Sequence, residues 1–266
     1  MPRKSLGQHF LIDQDVLIAI AESAELTTSD TVLEIGPGHG VLTKELTKRV
    51  KNVVAIEIDG QLAETLSSKL GHPKNLNVIN GDARSVELPE LIGSMDQYKV
   101  LANLPYYAAT FIIRRFLEAV IKPSLMVVMV QKEVADSMIG KPGKMSLLGI
   151  SVQFYGYPRI ISLVPSEAFF PKPKVTSAVI RIDLFSNPKV RIDDSSQFFK
   201  LVSAGFSAPR KQILNSLSLG LKESRESVSE ILTLSGISGN RRPSTLSIRD
   251  WELLYRAYQK RSLDEG

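Results

Sequence analysis

Short apolar runs alternate with amphipathic stretches along the chain before Ser186. The amphipathic stretches, such as Leu42–Val50 and Gln61–Leu70, carry apolar residues at helical spacing. This alternation predicts an α/β fold, in which a mostly parallel sheet has helices on both faces. The predicted strands are Thr31–Ile35, Val53–Ile58, Leu76–Ile79, Lys99–Ala102, Leu125–Val130 and Ser177–Leu184. The last of these alternates apolar and polar residues toward its end, which favours an antiparallel and partly exposed strand.

The pattern changes after Ser186-Asn187-Pro188, where the apolar residues take up a helical period. Pro209 is placed to act as the first-turn proline of one helix, and Ser247-Ile248-Arg249-Asp250 resembles a capping box at the start of another. The predicted helices are Ser196–Phe206, a segment from Pro209 through Leu217, Ser227–Ser235, and a segment from Ser247 that turns Trp251, Leu254, Tyr255 and Tyr258 inward. We therefore expect an α/β domain over residues 1–186 and a small all-helical domain over residues 187–266.

Glycines and carboxylates follow three consecutive predicted strands. The first strand runs into Gly36-Pro37-Gly38-His39-Gly40, the second ends at Glu57, and the third precedes Asp82. Carboxyl ends of parallel strands line one crevice, where Glu57 could accept ribose hydroxyls and Asp82 an adenine amine. The glycine spacing differs from the Gly-x-Gly-x-x-Gly of dinucleotide sites, so the three elements together predict a nucleoside cofactor without a pyrophosphate, S-adenosylmethionine. Taken singly, Glu57 could be a surface charge and Asp82 a helix cap.

A fourth predicted strand ends at Asn103-Leu104-Pro105-Tyr106. The Asn103 side-chain oxygen and a nearby backbone carbonyl could accept hydrogen bonds from an amine on a flat ring, while the Tyr106 ring stacks on it. Such acceptors would localise the lone pair of an adenine amine on its nitrogen. Taken alone, the tetrapeptide favours a simple turn, because Asn and Pro are common turn residues.

Composition excludes some chemistry. The chain of 266 residues has no cysteine, which removes disulfides, thiolate metal sites and the cysteine nucleophile of pyrimidine-carbon methylation. Its three histidines are scattered, so we expect no metal site. The longest apolar run is too short to span a bilayer, and no signal peptide is evident, so we expect a cytoplasmic protein without a membrane partner.

Positive charge is concentrated in the second half of the chain. The net charge is +5, and residues 187–266 contain 13 Lys and Arg against 9 Asp and Glu. This balance favours a polyanionic partner, with nucleic acid ahead of a membrane. The candidate phosphate contacts are Arg210, Lys211, Arg241, Arg242, Lys141 and Lys144.

Over nearly its whole length, the chain resembles the ribosomal RNA adenine dimethyltransferase family. The resemblance depends on the motifs above and on further segments: Lys4-Ser5-Leu6-Gly7-Gln8-His9-Phe10-Leu11, Gln131–Ala135, Phe169-Phe170-Pro171-Lys172-Pro173-Lys174-Val175-Thr176-Ser177 and Arg210–Asn215. It implies a Rossmann-like S-adenosylmethionine-dependent methyltransferase fold with a mostly parallel seven-stranded sheet. It also implies dimethylation of the N6 amines of two adjacent adenosines in a hairpin near the 3′ end of small-subunit (16S) rRNA during ribosome biogenesis.

The resemblance also implies site residues. The cofactor contacts carry over to His9, Leu11, Gly36, Glu57, Asp82 and Asn103. Asn103 and Pro105 would present the amine, and the target base would lie between Tyr106 and Phe169. The implied partners are small-subunit rRNA and the immature small subunit, and we expect a monomer. The chain departs from the family pattern at His9, Tyr107 and Pro209.

Three other functions compete with this interpretation. One is a methyltransferase that acts on large-subunit rRNA, as antibiotic-resistance enzymes do, or on DNA adenine. Another is a non-catalytic ribosome-assembly or transcription factor that keeps the fold, which the presence of Glu57, Asp82, Asn103 and Tyr106 disfavours. The weakest is an NAD-dependent dehydrogenase, which the glycine spacing disfavours.

Overall fold

The computed structural model describes residues 9–88, 91 and 97–264, and it divides them into two compact units. The first unit contains the described residues up to Ala135 together with Tyr157–Ser186, and the second contains Asp136–Gly156 and the chain from Asn187 onward. Residues 4–8 of the N-terminal motif lie outside the described residues.

A seven-stranded sheet forms the centre of the first unit. Its strands are β2 (Thr31–Ile35), β3 (Asn52–Glu57), β4 (Leu76–Asn80), β5 (Lys99–Asn103), β6 (Leu125–Gln131), β7 (Gly156–Val164) and β9 (Ser177–Leu184). They lie in the order β4-β3-β2-β5-β6-β9-β7. The first five strands of this order are parallel to one another, and β9 runs antiparallel to β6. All six predicted strands are therefore present, and the antiparallel direction of β9 is confirmed. The expected partial exposure of β9 is limited to its last two residues, since the first six are buried.

The edge strand β7 was not predicted from the sequence. Its side chains alternate between exposed and less exposed, and Tyr157 and Leu163 are exposed apolar residues on it. Pro158 also interrupts the pattern, because proline cannot donate to a strand ladder and occurs on edge strands. By contrast, β6 is buried from its first residue to Val130, as expected of an unbroken apolar run at the centre of a sheet.

A two-stranded antiparallel ribbon, β1 (Phe10–Leu11) with β8 (Phe169–Phe170), completes the strands of the first unit. The helices that follow the strands are α1 (Gln14–Ser23), α2 (Val41–Arg49), α3 (Gly60–Lys69), α4 (Ala109–Leu117) and α5 (Lys132–Met138), the last of which ends beyond Ala135. Aspartate side chains cap two of them: the Asp13 carboxylate accepts from the N–H groups of Asp15 and Val16 at the start of α1, and Asp59 caps α3 in the same way.

The second unit is helical. Its helices are α6 (Leu147–Tyr155), α7 (Ser195–Gly205), α8 (Ile213–Leu221), α9 (Arg225–Ser235) and α10 (Ile248–Asp264). The predicted capping box is confirmed, since Asp250 N–H donates to Ser247 Oγ and Ser247 N–H donates to Asp250 Oδ2. Pro209 was predicted inside a helix, but it lies in the turn before Ile213.

The chain changes unit between Ser186 and Asn187, where the boundary was expected, but Asp136–Gly156, expected in the first domain, belongs to the second unit. The physical reason lies in the aromatic residues of α6. The Phe154 ring lies 5.2 Å from the rings of Phe198 and Phe199, and the Tyr155 ring lies 5.9 Å from that of Phe199. Because buried aromatic side chains contribute strongly to packing, these contacts place α6 in the second unit, although Tyr157–Ser186 of the first unit follows it in the chain.

None of the helices in the described ranges combines the length and the apolar character that a bilayer crossing requires.

Candidate active site

The turn between β2 and α2 brings the backbone to the surface of a cavity. Gly36 and Gly38 have φ angles of +69° and +56°, which favour glycine. A Cβ atom on Gly38 would lie 3.1 Å from a ring carbon of Phe10. A side chain at position 38 would therefore displace the Phe10 ring, and glycine leaves the turn open to a ligand.

Glu57 is held in place by backbone donors. It ends β3 and is 3% exposed, and its Oε2 and Oε1 atoms accept from the N–H groups of Gly38 (2.9 Å) and Asp59 (3.0 Å). Each carboxylate oxygen can accept a second hydrogen bond. The group is therefore fixed by the fold and still able to accept the two hydroxyls of a ribose.

Asn103 ends β5 with its amide oriented by the N-terminal ribbon. Its Nδ2 donates to the backbone oxygen of His9 at 3.3 Å, which leaves Oδ1 to accept from a ligand. This contact uses the His9 backbone, so it does not depend on the residue type at position 9. The departure from the family pattern at His9 therefore leaves this contact intact.

Tyr106 has its hydroxyl anchored and one ring face covered by His9. The hydroxyl lies 2.6 Å from Ser177 Oγ, and burial raises the pKa of Tyr106, which this hydrogen bond only partly offsets. The His9 ring stacks on the Tyr106 ring with centroids 5.8 Å apart, and its Nδ1 lies 2.6 Å from the Pro171 oxygen. An aromatic platform is thus held rigidly beside Asn103.

The structure brings most of the predicted site residues together around one cavity. Its lining includes His9, Gly36, Glu57, Asn103, Pro105 and Tyr106. Two further cavities share part of this lining: one shares Gly36 and Asn103 and adds Leu11, and the other shares Glu57 and Pro105 and adds Asp82. The six predicted cofactor residues therefore lie along three cavities with shared walls at the carboxyl ends of the parallel strands.

The Asp82 carboxylate forms an ion pair with the Arg84 guanidinium. The Arg84 Nε atom lies 3.0 and 2.9 Å from the two carboxylate oxygens, and Nη2 lies 2.6 Å from Oδ2. This hydrogen-bonded pairing with Arg84 holds the pKa of Asp82 below its ordinary value. The guanidinium carbon also lies 5.7 Å from the centroid of the Tyr107 ring. Sequence reasoning assigned no role to Arg84, although an Arg two residues after the predicted acceptor was a signal for this pairing.

Phe169 is not where the sequence analysis expected it. Its side chain is 3% exposed within the main apolar core, and it does not line the cavity that holds Tyr106. The reason is the register of the ribbon, in which Phe169 pairs with Leu11 and both side chains point into the core. The alternation of side chains along a strand leaves the next residue, Phe170, 65% exposed.

A basic groove lies in the second unit. Its cationic residues are Arg210, Lys211, Arg225 and Arg242, and Gln212, Asn215 and Ser218 complete the lining. The four cationic residues are exposed, and their side chains have no ion-pair partner among the described residues. The sequence analysis missed Arg225. Its position at the start of α9 does not indicate that the fold brings it next to Arg210, Lys211 and Arg242.

Arg241 was predicted as a phosphate contact, but its guanidinium is engaged within the fold. Its Nη2 lies 2.5 Å from the Thr245 oxygen and 3.0 Å from Asp250 Oδ2. The neighbouring Ser244 oxygen accepts from the N–H groups of Gly143 and Met145, which ties the loop of Lys141 and Lys144 to the segment that follows Arg242. Lys141 and Lys144 are exposed on this loop.

Comparison with known proteins identifies the family. The model for the family described as "Ribosomal RNA adenine dimethylase" matches residues 2–259. A relative from Dehalococcoides mccartyi (strain ATCC BAA-2266 / KCTC 15142 / 195), named "Ribosomal RNA small subunit methyltransferase A", is 46% identical over 256 residues, which cover 96% of this chain and 88% of the relative. A relative of the same name from Alkaliphilus oremlandii (strain OhILAs) is 43% identical over 257 residues, covering 94% and 90%.

Two solved structures are similar along nearly the whole chain. A dimethyladenosine transferase from Plasmodium falciparum has a TM-score of 0.81 at 24% identity, over 96% of this chain and 98% of that one. At this identity the similarity shows a shared fold. The 23S rRNA methyltransferase ErmE has a TM-score of 0.74 at 29% identity, over 94% and 99%. Because this family model spans almost all residues and the named relatives are 43% and 46% identical to the chain, the chain belongs to the ribosomal RNA adenine dimethylase family of S-adenosylmethionine-dependent rRNA methyltransferases.

Proposed function

We propose that this enzyme dimethylates the N6 amines of two adjacent adenosines in a hairpin near the 3′ end of small-subunit rRNA, while the subunit is being assembled. The observation that carries the proposal is the shared cavity, in which Glu57, Asn103 and Tyr106 face one space. The small subunit is the target that the names of the two relatives state for those proteins. The proposed partner is the immature subunit, met in the cytoplasm by a monomer.

In this proposal, Asn103 prepares the amine for attack. S-adenosylmethionine, when bound, supplies a methyl group on a sulfonium. The amine of adenine is a poor nucleophile because its lone pair is delocalised into the ring, and a hydrogen bond to Asn103 Oδ1 would localise that pair. The Nδ2 bond to His9 fixes which amide atom faces the cavity. As the new carbon–nitrogen bond forms and the carbon–sulfur bond breaks, the amine proton leaves to water, so the protein contributes alignment.

Tyr106 provides the surface on which the target base lies. Stacking on an aromatic ring stabilises a bound base by about 1–3 kcal/mol, which offsets part of the cost of taking it out of its helix. The hydroxyl bond to Ser177 keeps the ring in place. Because the His9 ring lies on Tyr106, the base either displaces this ring or shares the face with it. Phe169, buried in the core, supports the ribbon and has no stacking role in this proposal.

The groove of the second unit would bind the RNA backbone. Four unpaired cations on exposed side chains complement phosphates without reading bases. The proposed phosphate contacts therefore include Arg225, which was not predicted from the sequence, and no longer include Arg241.

A large-subunit target is the second candidate, because ErmE is similar at 29% identity. The experiment supplies purified protein and labelled S-adenosylmethionine to unmethylated small subunits and, separately, to unmethylated large subunits. We expect label on two adjacent adenosines of the small subunit. Label confined to the large subunit would establish the second candidate, and no label on either would contradict both.

A further inference from the structure

Glu34 is a buried carboxyl group that the proposed mechanism does not use. It lies on β2, two residues before Gly36, and is 1% exposed. Its Oε2 atom has no hydrogen-bond partner among the described residues. Buried polar atoms are nearly always hydrogen-bonded, so an unpartnered carboxyl oxygen suggests a missing ligand.

The cavity that Glu34 lines is part of the cofactor site. Gly36, Gly38 and Asn103 line both this cavity and the one that holds Glu57 and Tyr106. Leu11, a predicted cofactor contact, lies in the Glu34 cavity alone. The cavity with Asp82 shares the other side of the lining, including Glu57. With the adenine end at Asp82 and the ribose at Glu57, the Glu34 cavity is left for the amino-acid end of the cofactor.

The surroundings of Glu34 favour the protonated group while no cation is near. Burial raises its pKa to about 8. Hydrogen bonding by Thr43 partly offsets this rise, and the charge of Glu57 on β3 reinforces it. The groups opposite Glu34 on the neighbouring strands are Ala55 and Leu101, and α1 contributes Leu17 and Ile20 to the cavity. His39 is the other titratable group among the described residues of this lining.

We propose that Glu34 accepts a hydrogen bond from the α-ammonium group of the cofactor, and that cofactor binding expels the Glu34 proton into solvent. An ammonium group brings three donors and a positive charge, which satisfy the unpartnered oxygen and favour its ionised form. In this step the carboxyl O–H bond breaks, the proton passes to water, and an ammonium N–H takes its place. The inference rests on the proposed function for the identity of the cofactor alone, since it does not involve RNA.

The test measures protons released on binding, by titration calorimetry at pH 7.0 in buffers of different ionisation enthalpy. The two probes are S-adenosylhomocysteine, which keeps the amino-acid end, and methylthioadenosine, which lacks it; neither has a charged sulfur. With a group of pKa about 8, S-adenosylhomocysteine should release about nine-tenths of a proton per site, and methylthioadenosine none. With that pKa of about 8, the Kd of S-adenosylhomocysteine should tighten roughly ninefold from pH 6 to pH 7 and level off near pH 9. Equal release with both probes, or none with either, would overturn the inference.

Glu34→Gln keeps the shape of the side chain and removes its titration. In this variant, proton release should vanish and the Kd of S-adenosylhomocysteine should become independent of pH, whereas His39→Asn should retain the release. Loss of release in His39→Asn alone would assign the proton to the imidazole. If Glu34→Gln does not fold, the two probes on the natural chain still decide. Failure of S-adenosylhomocysteine to bind would contradict the cofactor site itself, whereas binding without proton release contradicts the role of Glu34 alone.

Discussion

The cavities of the first unit and the groove of the second differ in the polar groups that they leave without partners. Glu34, which lines one cavity of the first unit, has an unpartnered carboxyl oxygen, and the groove contains four cations without ion-pair partners among the described residues. By contrast, the buried charge of Glu252 is paired: the residue is 0% exposed and its carboxylate contacts both Arg249 and Arg256. In our proposals, each of these groups complements a ligand, a cationic cofactor in the first unit and a polyanion in the second.

The two sites also differ in how firmly their groups are held. Glu57 and Asn103 are fixed by hydrogen bonds to the backbone, at the ends of strands whose register the sheet defines. The cations of the groove extend into solvent on long side chains, where salt screens them. We therefore expect chemistry in the cavity to depend on geometry, and binding in the groove to depend on ionic strength.

The largest effect should come from Asn103→Ala, which removes the acceptor for the amine. We expect kcat for methyl transfer to fall by roughly 10²–10³-fold, the size typical of losing one preorganised polar contact in a transition state. RNA affinity at fixed salt should stay within a factor of about two, because phosphate contacts dominate it. Asn52→Ala, at the exposed start of β3, is the matched control. Turnover like that of the natural enzyme would remove Asn103 from the mechanism.

A smaller effect is expected from Glu57→Gln, which replaces one acceptor oxygen by an amide donor. Glu57 already accepts from two backbone N–H groups, so the amide would oppose one of them. Hydrogen bonds to charged groups are worth about 1.5–3 kcal/mol, so the Kd of S-adenosylhomocysteine should weaken by roughly 10–100-fold. Calorimetry measures this change. Glu64→Gln, on the exposed side of α3, should bind as the natural chain does; an unchanged Kd in Glu57→Gln would argue against a ribose contact.

The smallest effect, and the sharpest test of the comparison, is between two adjacent arginines. Arg242→Ala should lower the slope of log affinity against log salt by about 0.7–0.9, the value of one phosphate contact. Arg241→Ala should leave that slope unchanged and lower the free energy of unfolding by about 1 kcal/mol, because its partners Thr245 and Asp250 lie within the fold. RNA binding at several salt concentrations and denaturant unfolding measure the two quantities. Reversed results for the two variants would mean that Arg241 contacts RNA.

The fold was largely predictable because its central strands are local patterns of apolar residues. The apolar run from Leu125 identified β6, and the capping residues Ser247 and Asp250 identified the start of α10. Strand β7 escaped prediction, since Pro158 and the exposed apolar residues on it obscure the alternation. The change of unit at Asp136 escaped as well, because it depends on aromatic contacts with residues far along the chain.

The sequence by itself determined which chemical groups stand at the ends of the parallel strands. The residue at the end of an apolar run that forms a parallel strand lies at the carboxyl edge of the sheet. Gly36, Glu57 and Asn103 could therefore be placed together from the sequence. Only the tertiary structure decided which groups find partners: Phe169 turns into the core through its pairing with Leu11, and Arg241 contacts Asp250. Glu34, by contrast, keeps a buried oxygen without a hydrogen-bond partner among the described residues. Pairing depends on neighbours that the fold brings from distant segments, and no local pattern encodes them.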